Sequence, residues 1–290
     1  MTKRKIGLAL VLVALCMGVT AQAGNALAAR KQVESSLLVQ GTITIAPDGS
    51  VIAHTLDSTE ALGDVLSKFV GGSLEKWHFK PVSVDGKVVT AKVPMSLRLV
   101  AKPTDDGNMN VTIASTYFGR REGLPATADV QRRARNAPPQ YPKDAQRMGG
   151  MGTVYLIVQV GRNGSVLNVA AEQVNLKVLG TASEMSALRK QFTDATVRAA
   201  RRWTFVPPTT SNAANEASWL VRVPVEFVLW GEQGKRAKAG QWDSYVPGPR
   251  NKDMPWAHEQ LETAGSPDAL SDGGVYSLEQ GATLLNPPAA

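Results

Sequence analysis

The chain has 290 residues, a formal net charge of +7 and a single cysteine. This length allows one or two domains, and a hydrophobic content of 43% suits globular cores while excluding a polytopic membrane protein. Because no basic run is interleaved with aromatic residues, the charge does not predict a nucleic-acid groove, and we expect no nucleic-acid partner.

Residues 1–23 have the pattern of a cleavable secretory signal peptide. Three basic residues precede an apolar run from Ile6 to Val19, and Ala21-Gln22-Ala23 is the favoured cleavage site, with Ala26-Leu27-Ala28 as a second choice. The run is shorter than the roughly 20 residues of a membrane-spanning helix. We expect a periplasmic protein without disulfides, because Cys16 lies within the run. The alternative is an uncleaved N-terminus that anchors the chain in the inner membrane.

Residues 33–101 predict a small α+β unit. Polar and apolar residues alternate from Leu38 to Ala46, and a second extended run covers Val51 to Leu56. The turn residues Pro47-Asp48-Gly49 lie between them, so a β-hairpin is predicted. A last strand is expected from Val89 to Val100.

A helix is predicted between the hairpin and the last strand. Asp57 and Glu60 have the spacing of a capping box. Leu62, Leu66, Phe69 and Trp77 then fall at helical spacing and predict one apolar face. Gly71-Gly72 is expected to weaken the helix near its end.

Residues 102–137 read as a linker. A short strand from Asn110 to Tyr117 and a short helix from Ala128 to Arg135 are the elements that it could hold. Its basic character comes from Arg120, Arg121, Arg132, Arg133 and Arg135.

Residues 138–230 predict a second unit with a more distinctive pattern. It opens on Tyr141-Pro142 and a helical segment that stops at Gly149-Gly150. A strand from Thr153 to Val160, a turn at Asn163-Gly164 and a capping box at 181–184 follow. The unit closes with Trp203-Thr204-Phe205-Val206-Pro207 and Val221–Phe227.

These motifs resemble the C-terminal periplasmic domain of TonB-type energy transducers, whose pattern reads Y-P-x-x-A, G-x-V, a turn glycine, W-x-F-x-P and V-P-V-x-F. The resemblance covers about a third of the chain closely. The residues that carry it are Tyr141, Pro142, Gly152, Gly164, Trp203, Phe205 and Pro207.

The motifs of the second unit recur in the first unit in the same order. Gly41-Thr42-Ile43 matches Gly152-Thr153-Val154, and Trp77-His78-Phe79-Lys80-Pro81 matches residues 203–207. Such a repeat indicates an internal duplication. We therefore predict two tandem TonB-C-like units, each a three-stranded antiparallel sheet with a packed helix in the order β-β-α-β. The first unit is the degenerate copy, and its motif residues are Trp77, Phe79 and Pro81.

The W-x-F-x-P motif lies where a predicted helix ends and an extended segment begins. Helical spacing places Trp203 on the same face as Leu188 and Phe192. This favours a core anchor between helix and sheet over a binding aromatic.

The V-P-V strand is the candidate docking edge. Proline cannot donate to a sheet ladder, so Pro94 and Pro224 predict that the last strand of each unit lies at a sheet edge. The resemblance implies that this strand receives an extended segment of an outer-membrane transporter by strand addition. The alternative is that Pro224 only protects the edge from aggregation. The candidate residues are Val221, Arg222, Val223, Pro224, Val225, Glu226 and Phe227.

No catalytic motif is found, and the chain is not expected to be an enzyme. His54, His78 and His258 have no metal-ligand spacing, and neither a nucleophile elbow nor a phosphate-binding glycine loop occurs. We expect no cofactor and no metal.

Residues 231–290 lack sustained periodicity and are rich in Gly, Pro, Ser and Asp. Such a composition predicts a flexible or loosely docked tail. The alternative is a recognition motif around Trp242, Tyr245 and Trp256.

Three functions remain open. The first is a soluble periplasmic module that binds an envelope protein, with an outer-membrane transporter as one candidate and a homodimer through strand pairing as another. The second is an atypical TonB transducer that works with inner-membrane motor proteins. Family transducers keep an uncleaved helix with a functional histidine and a long proline-rich spacer, and residues 1–29 contain no histidine. The third is an envelope-polymer binder or enzyme that uses the basic face.

Overall fold

The structure is a computed structural model that describes residues 33–84, 86–104, 107–120, 122–210, 212–229, 231, 240–279 and 281–286. The predicted signal peptide, residues 1–23, lies outside the described residues. Within the described part of the chain, every helix is too short or too polar to cross a bilayer.

The described elements alternate between strands and a few helices. The strands are β1 (Glu34–Ile45), β2 (Val51–Leu56), β3 (Ser83–Val84), β4 (Lys87–Val88), β5 (Ala91–Pro103), β6 (Met109–Phe118), β7 (Gln131–Arg132), β8 (Gly152–Gly161), β9 (Val166–Leu176), β10 (Phe205–Val206), β11 (Ser218–Phe227), β12 (Trp242–Tyr245) and β13 (Tyr276–Ser277). The α-helices are α1 (Thr59–Leu74), α2 (Lys143–Arg147), α3 (Ala182–Ala200) and α4 (His258–Thr263).

The first sheet is antiparallel and is built around β1. Strand β5 pairs with one side of β1, while β2 and β12 share its other side. Strand β6 pairs with the outer side of β5. Leu62, Val70 and Leu74 of α1 are buried in one cluster with strand residues such as Ile43 and Val93, so this helix covers the core of the first sheet.

The second sheet has the strand order β13-β11-β8-β9 and is also antiparallel. Leu188 and Phe192 of α3 lie in its core. The helix begins with the predicted capping box. The Glu184 N–H donates to the Thr181 hydroxyl (3.3 Å), and the Thr181 N–H donates to the Glu184 carboxylate (2.8 Å). This reciprocal pair satisfies amides that the first helical turn leaves unpaired.

The predicted α+β class is confirmed. Both sheets contain the predicted hairpin, helix and returning strand, but each has more strands than the three expected. The additional strands are β6 in the predicted linker and β12 and β13 in the predicted tail. The division into two tandem units stays a prediction.

Helix α1 starts differently from its prediction. Ser58 precedes it with a φ of 56° and makes no capping hydrogen bond through its side chain. The Asp57 N–H instead donates to the Gln40 carbonyl (2.8 Å). The helix is interrupted at Gly63, which has a φ of 70°. Gly71-Gly72, expected to weaken the helix, lie inside it without a break.

The two hairpin turns make the same contacts. The Phe79 N–H donates to the Gly49 carbonyl and the Phe205 N–H donates to the Gly164 carbonyl, both at 2.8 Å. A Cβ atom added to either glycine would lie 2.1 Å from the carbonyl oxygen of the corresponding phenylalanine. These equivalent contacts support the proposed duplication.

Residues 240–286, here called the C-terminal segment, do not form the expected flexible tail. Strand β12 pairs with β1, and β13 pairs with β11. The segment also builds a third apolar cluster on the second sheet, formed by Ile157, Met254, Ala257, Leu261, Ala264 and Leu278. The prediction was wrong because irregular turns bury these side chains without any periodicity in the sequence.

The C-terminal segment also joins the two sheets. Just beyond β12, the Val246 N–H donates to the Leu176 carbonyl (2.7 Å) at the end of β9. One carboxylate oxygen of the buried Asp268 accepts from the side-chain amides of Gln173 (2.9 Å) and Asn175 (3.1 Å), and the other accepts from the Tyr245 hydroxyl (3.3 Å). A polar network therefore connects β9 of one sheet with β12 of the other.

Candidate docking edge on the second sheet

The inner side of β11 is fully paired. Its register with β8 runs without interruption from Ser218 opposite Gly161 to Phe227 opposite Gly152. Alternate side chains, including Val221 and Val223, point into the core beneath α3. This strand is therefore fixed in place independently of any partner on its outer side.

The outer side of β11 is covered in part by the C-terminal segment. Strand β13 pairs only Val221 with Ser277 and Arg222 with Tyr276. The Glu226 N–H donates to the Asp272 carboxylate (2.9 Å). The predicted edge is therefore occupied at these points by residues that had been assigned to the tail.

Pro224 lies on β11 between these two contacts. It is buried, and its lack of an N–H group costs nothing in the pairing with β13, which ends at Arg222. The corresponding prediction for Pro94 is wrong, because β5 is flanked by β1 and β6. The Pro94 carbonyl accepts from the Gly119 N–H (2.9 Å) just beyond β6, so this proline sits where regular pairing ends.

Arg222 anchors the edge strand through a buried ion cluster. Its guanidinium makes two hydrogen bonds to the fully buried carboxylate of Glu172, of 2.7 and 2.8 Å. Arg250 of the C-terminal segment donates to the same carboxylate (2.7 Å). This cluster was not predicted from the sequence, although an arginine flanked by valines in a strand indicates a buried acidic partner.

A second ion cluster joins the edge strand to the first sheet. The Lys177 ammonium lies 2.9 Å from the carboxylate of Glu226 and 2.8 Å from that of Asp243 in β12. Glu226 is thus held through both its backbone N–H and its side chain. Val225 is the remaining candidate residue, and it is partly exposed.

Strand β13 is held down by aromatic contacts with the first sheet. The rings of Tyr276 and Tyr117 meet edge to face with their centroids 5.3 Å apart. The Tyr276 hydroxyl also donates to the Ser271 carbonyl (2.9 Å). Burial raises the pKa of Tyr276 because its ionised form would be poorly solvated.

The aromatic motif residues of the second unit lie in its core. Trp203 is buried, and its indole N–H donates to the Ala137 carbonyl (2.8 Å). The Tyr141 ring packs edge to face on Phe227, and its hydroxyl donates to the Gly150 carbonyl. Burial raises the pKa of Tyr141 to about 12. These contacts tie the opening helix to the last strand.

The other motif residues occupy structural positions. Trp77 and Phe79 pack edge to face on Phe118 of β6. A Cβ atom on Gly152 would lie 2.4 Å from the Asn175 carbonyl oxygen. Phe205 is fully buried, Pro142 and Pro207 are half-buried, and Pro81 is exposed.

In the described part of the chain, no group of three or more His, Cys, Asp or Glu side chains is arranged to hold a metal ion. The candidate residues on β11 instead present backbone groups along the outer side of that strand, which β13 pairs at Val221 and Arg222.

The hairpin, helix and returning strand, with the Tyr-Pro, Trp-x-Phe-x-Pro and Val-Pro-Val motifs at their junctions, define the class: the chain contains a TonB C-terminal-like domain. It is 36% identical over 104 residues to "Protein TonB" from two strains of Xanthomonas campestris pv. campestris. It is 35% identical over 94 residues to "Protein tonB2" from Pseudomonas aeruginosa.

The similarity covers only part of each chain. The alignments include 36% and 32% of this chain, and 40% and 30% of the Xanthomonas and Pseudomonas relatives. No family model matches, and no solved structure matches. The chain thus spans less than half the length of the relatives that it matches.

Proposed function

We propose that the protein is a periplasmic protein-binding module that receives an extended segment of an envelope protein along β11. An outer-membrane transporter is the partner that the TonB-like domain favours. The observation that carries the proposal is the unequal pairing of this strand. Its inner side is paired along the whole strand with β8, whereas its outer side is paired with the two residues of β13 and accepts one more hydrogen bond, from the Leu278 N–H to the Leu220 carbonyl (3.0 Å).

A partner strand binds along this edge by replacing the groups that already pair with the outer side of β11. A partner strand that pairs with residues 220–226 must displace β13, the Leu278 N–H and the Asp272 carboxylate from the outer side of β11. A longer strand makes more ladder hydrogen bonds than β13 does, and its side chains add cross-strand contacts. The buried Arg222 cluster keeps β11 itself in place during the exchange.

Backbone methylation of a peptide tests this mode of binding. The probe is a synthetic peptide with the sequence of a short extended segment of an outer-membrane transporter, titrated calorimetrically into the full chain. N-methylation of every second residue removes the N–H groups that face the edge and should abolish binding. Methylation of the intervening residues should leave binding intact. Equal affinities for the two peptides would refute strand addition.

A second candidate is an atypical TonB transducer that is anchored by an uncleaved N-terminus and works with inner-membrane motor proteins. It is supported by the similarity to proteins named TonB. The N-terminal residue of the protein purified from cells separates the two candidates. A start at Gly24 or Ala29 supports the soluble module, and an intact Met1 in the inner-membrane fraction supports the transducer.

A second copy of this chain is another donor of an edge strand. If the protein forms a homodimer by strand pairing, sedimentation will show a dimer that the binding peptide converts to monomer. A monomer at all concentrations would exclude this mode.

A further inference from the structure

An open cleft beside β7 and β10 is built from three segments. Residues 132–135 form one wall, Thr204 and Val206 form another, and Asn163 of the hairpin turn closes one side. The cleft volume is about 660 Å³, which is within the range of small-molecule sites.

The walls of the cleft are fixed by backbone hydrogen bonds. Strand β7 pairs with β10, so Arg132 lies opposite Phe205. The Asn136 side chain accepts from the Thr204 N–H (2.9 Å) and donates to the Thr204 carbonyl (2.8 Å). The arginine side chains are therefore carried by a preorganised backbone rather than by a loose loop.

The cleft is strongly cationic. Of the described residues that line it, Arg132, Arg133 and Arg135 are arginines and none is acidic. Among the ion pairs of the described chain, none includes these three side chains. Arg120, in the same segment, is by contrast neutralised by Asp129 at 2.8 Å.

Two of the guanidinium groups are oriented by contacts that leave donors available. The Arg132 guanidinium lies over the Trp203 ring, 5.3 Å from its centroid, and this cation–π contact uses none of its N–H donors. Nε of Arg133 donates to the Phe205 carbonyl (3.3 Å), which leaves its two terminal nitrogens. Both arrangements suit the bidentate recognition of an oxyanion.

We infer that this cleft binds a ligand with two or more phosphate groups. Phosphate oxygens are numerous enough to accept from several guanidinium groups at once, and the Thr204 hydroxyl and Asn163 amide add neutral donors. An extended acidic peptide fits less well, because each carboxylate offers two acceptor oxygens whereas a terminal phosphate offers three. The inference does not depend on docking at β11.

Calorimetric titration of the full chain with pyrophosphate tests the cleft directly. Arg135→Gln removes a guanidinium that has no partner within the described chain, so the fold is unaffected. We expect the pyrophosphate Kd to rise about tenfold, equivalent to about 1.4 kcal/mol. The matched control is Arg198→Gln, an exposed arginine of α3 outside the cleft lining, which should change Kd by less than about twofold.

Flotation with phosphatidylcholine vesicles that contain cardiolipin, a lipid with two phosphate groups, distinguishes the source of the phosphate groups. Arg135-dependent binding to pyrophosphate alone identifies a soluble ligand, and Arg135-dependent binding to vesicles alone identifies a lipid headgroup. The inference is overturned if neither probe binds, or if Arg135→Gln and Arg198→Gln weaken binding equally. Tighter binding of a polyglutamate peptide than of either phosphate probe also overturns it.

Discussion

At the scale of single residues, the hairpin glycines show how closely the backbone is packed. Gly164 has a φ of 79°, and its Cα faces the Phe205 carbonyl across the hairpin turn. Gly149, after α2, has a similar φ of 65°, but an added Cβ would meet nothing within 4 Å. A comparison of the two positions therefore separates the energetic cost of the left-handed backbone from the cost of the close contact.

Gly149→Ala should lower the free energy of unfolding by about 1 kcal/mol, the cost of a side chain in the left-handed region. Gly164→Ala should cost about 3 kcal/mol, because the backbone must also move away from the Phe205 carbonyl oxygen. Urea unfolding monitored by tryptophan fluorescence measures both values. Equal losses of unfolding free energy in the two variants would show that the close contact at Gly164 adds no cost to the substitution.

Several residue positions could be predicted because their chemistry is local. Thr181 and Glu184 cap α3 from a spacing of three residues, and the Asn163-Gly164 turn needs only its own hydrogen bonds. The Arg222–Glu172–Arg250 cluster could not be predicted, since its members come from β9, β11 and the C-terminal segment. No spacing rule links positions that meet only after folding.

At the scale of elements, the proposed strand addition requires the short strand β13 to leave β11. Tyr276→Ala removes the edge-to-face contact with Tyr117 and the hydrogen bond to Ser271. An aromatic pair contributes about 1 kcal/mol beyond its buried area. The transporter peptide should therefore bind up to about tenfold more tightly to Tyr276→Ala, if it replaces β13.

Leu285→Ala is the control for this measurement, because Leu285 is 62% exposed and lies in the same C-terminal segment. Its affinity for the peptide should match that of the unmodified chain. Unchanged affinity for Tyr276→Ala would mean that the peptide binds without moving β13.

The strands that the sequence indicated are those with alternating or apolar runs. Strands β1, β8 and β11 have such runs, whereas β13 has two residues and acquires its conformation from pairing with β11. Strand β6 was indicated at nearly its observed position, but its pairing with β5 was not. Because β6 covers β5, the edge inferred from Pro94 does not exist.

At the scale of the whole molecule, Asp268 makes the stability of the junction between the two sheets depend on pH. Burial raises the pKa of Asp268 above its ordinary value of 3.8, while the nearby Arg98 guanidinium lowers it. Glu34, Tyr155 and Tyr245 are further titratable groups that interact with it. Since the folded state holds this proton more tightly than the unfolded state, ionisation of Asp268 removes stability as pH rises through the folded pKa.

Asp268→Asn should remove this contribution. Its carbonyl oxygen can accept from Gln173 and Asn175, and its amide can donate to the Tyr245 oxygen. The variant should gain unfolding free energy relative to the unmodified chain as pH rises above 3.8. Urea unfolding over a pH series measures the difference, and parallel curves for the two proteins would contradict the assignment.

The packing of the C-terminal segment can be tested by truncating one side chain. Leu261 of α4 is fully buried in the third apolar cluster, so Leu261→Ala should cost about 3 kcal/mol of unfolding free energy. A flexible tail predicts no loss. Leu285→Ala, at an exposed leucine of the same segment, should change stability by less than about 0.5 kcal/mol.

The pairing of β12 with β1 has a consequence for the order of folding. The Ser36 hydroxyl donates to the Asp243 carbonyl across a separation of 207 residues, and β13 reaches β11 from near the chain end. A ribosome releases the N-terminal strands first, and long loops close slowly. In each sheet, one strand therefore lacks a pairing partner along part of one side until synthesis is almost complete. Until then, the nascent chain exposes two strand edges that can pair with neighbouring chains. A chain terminated before β12 would expose both edges permanently.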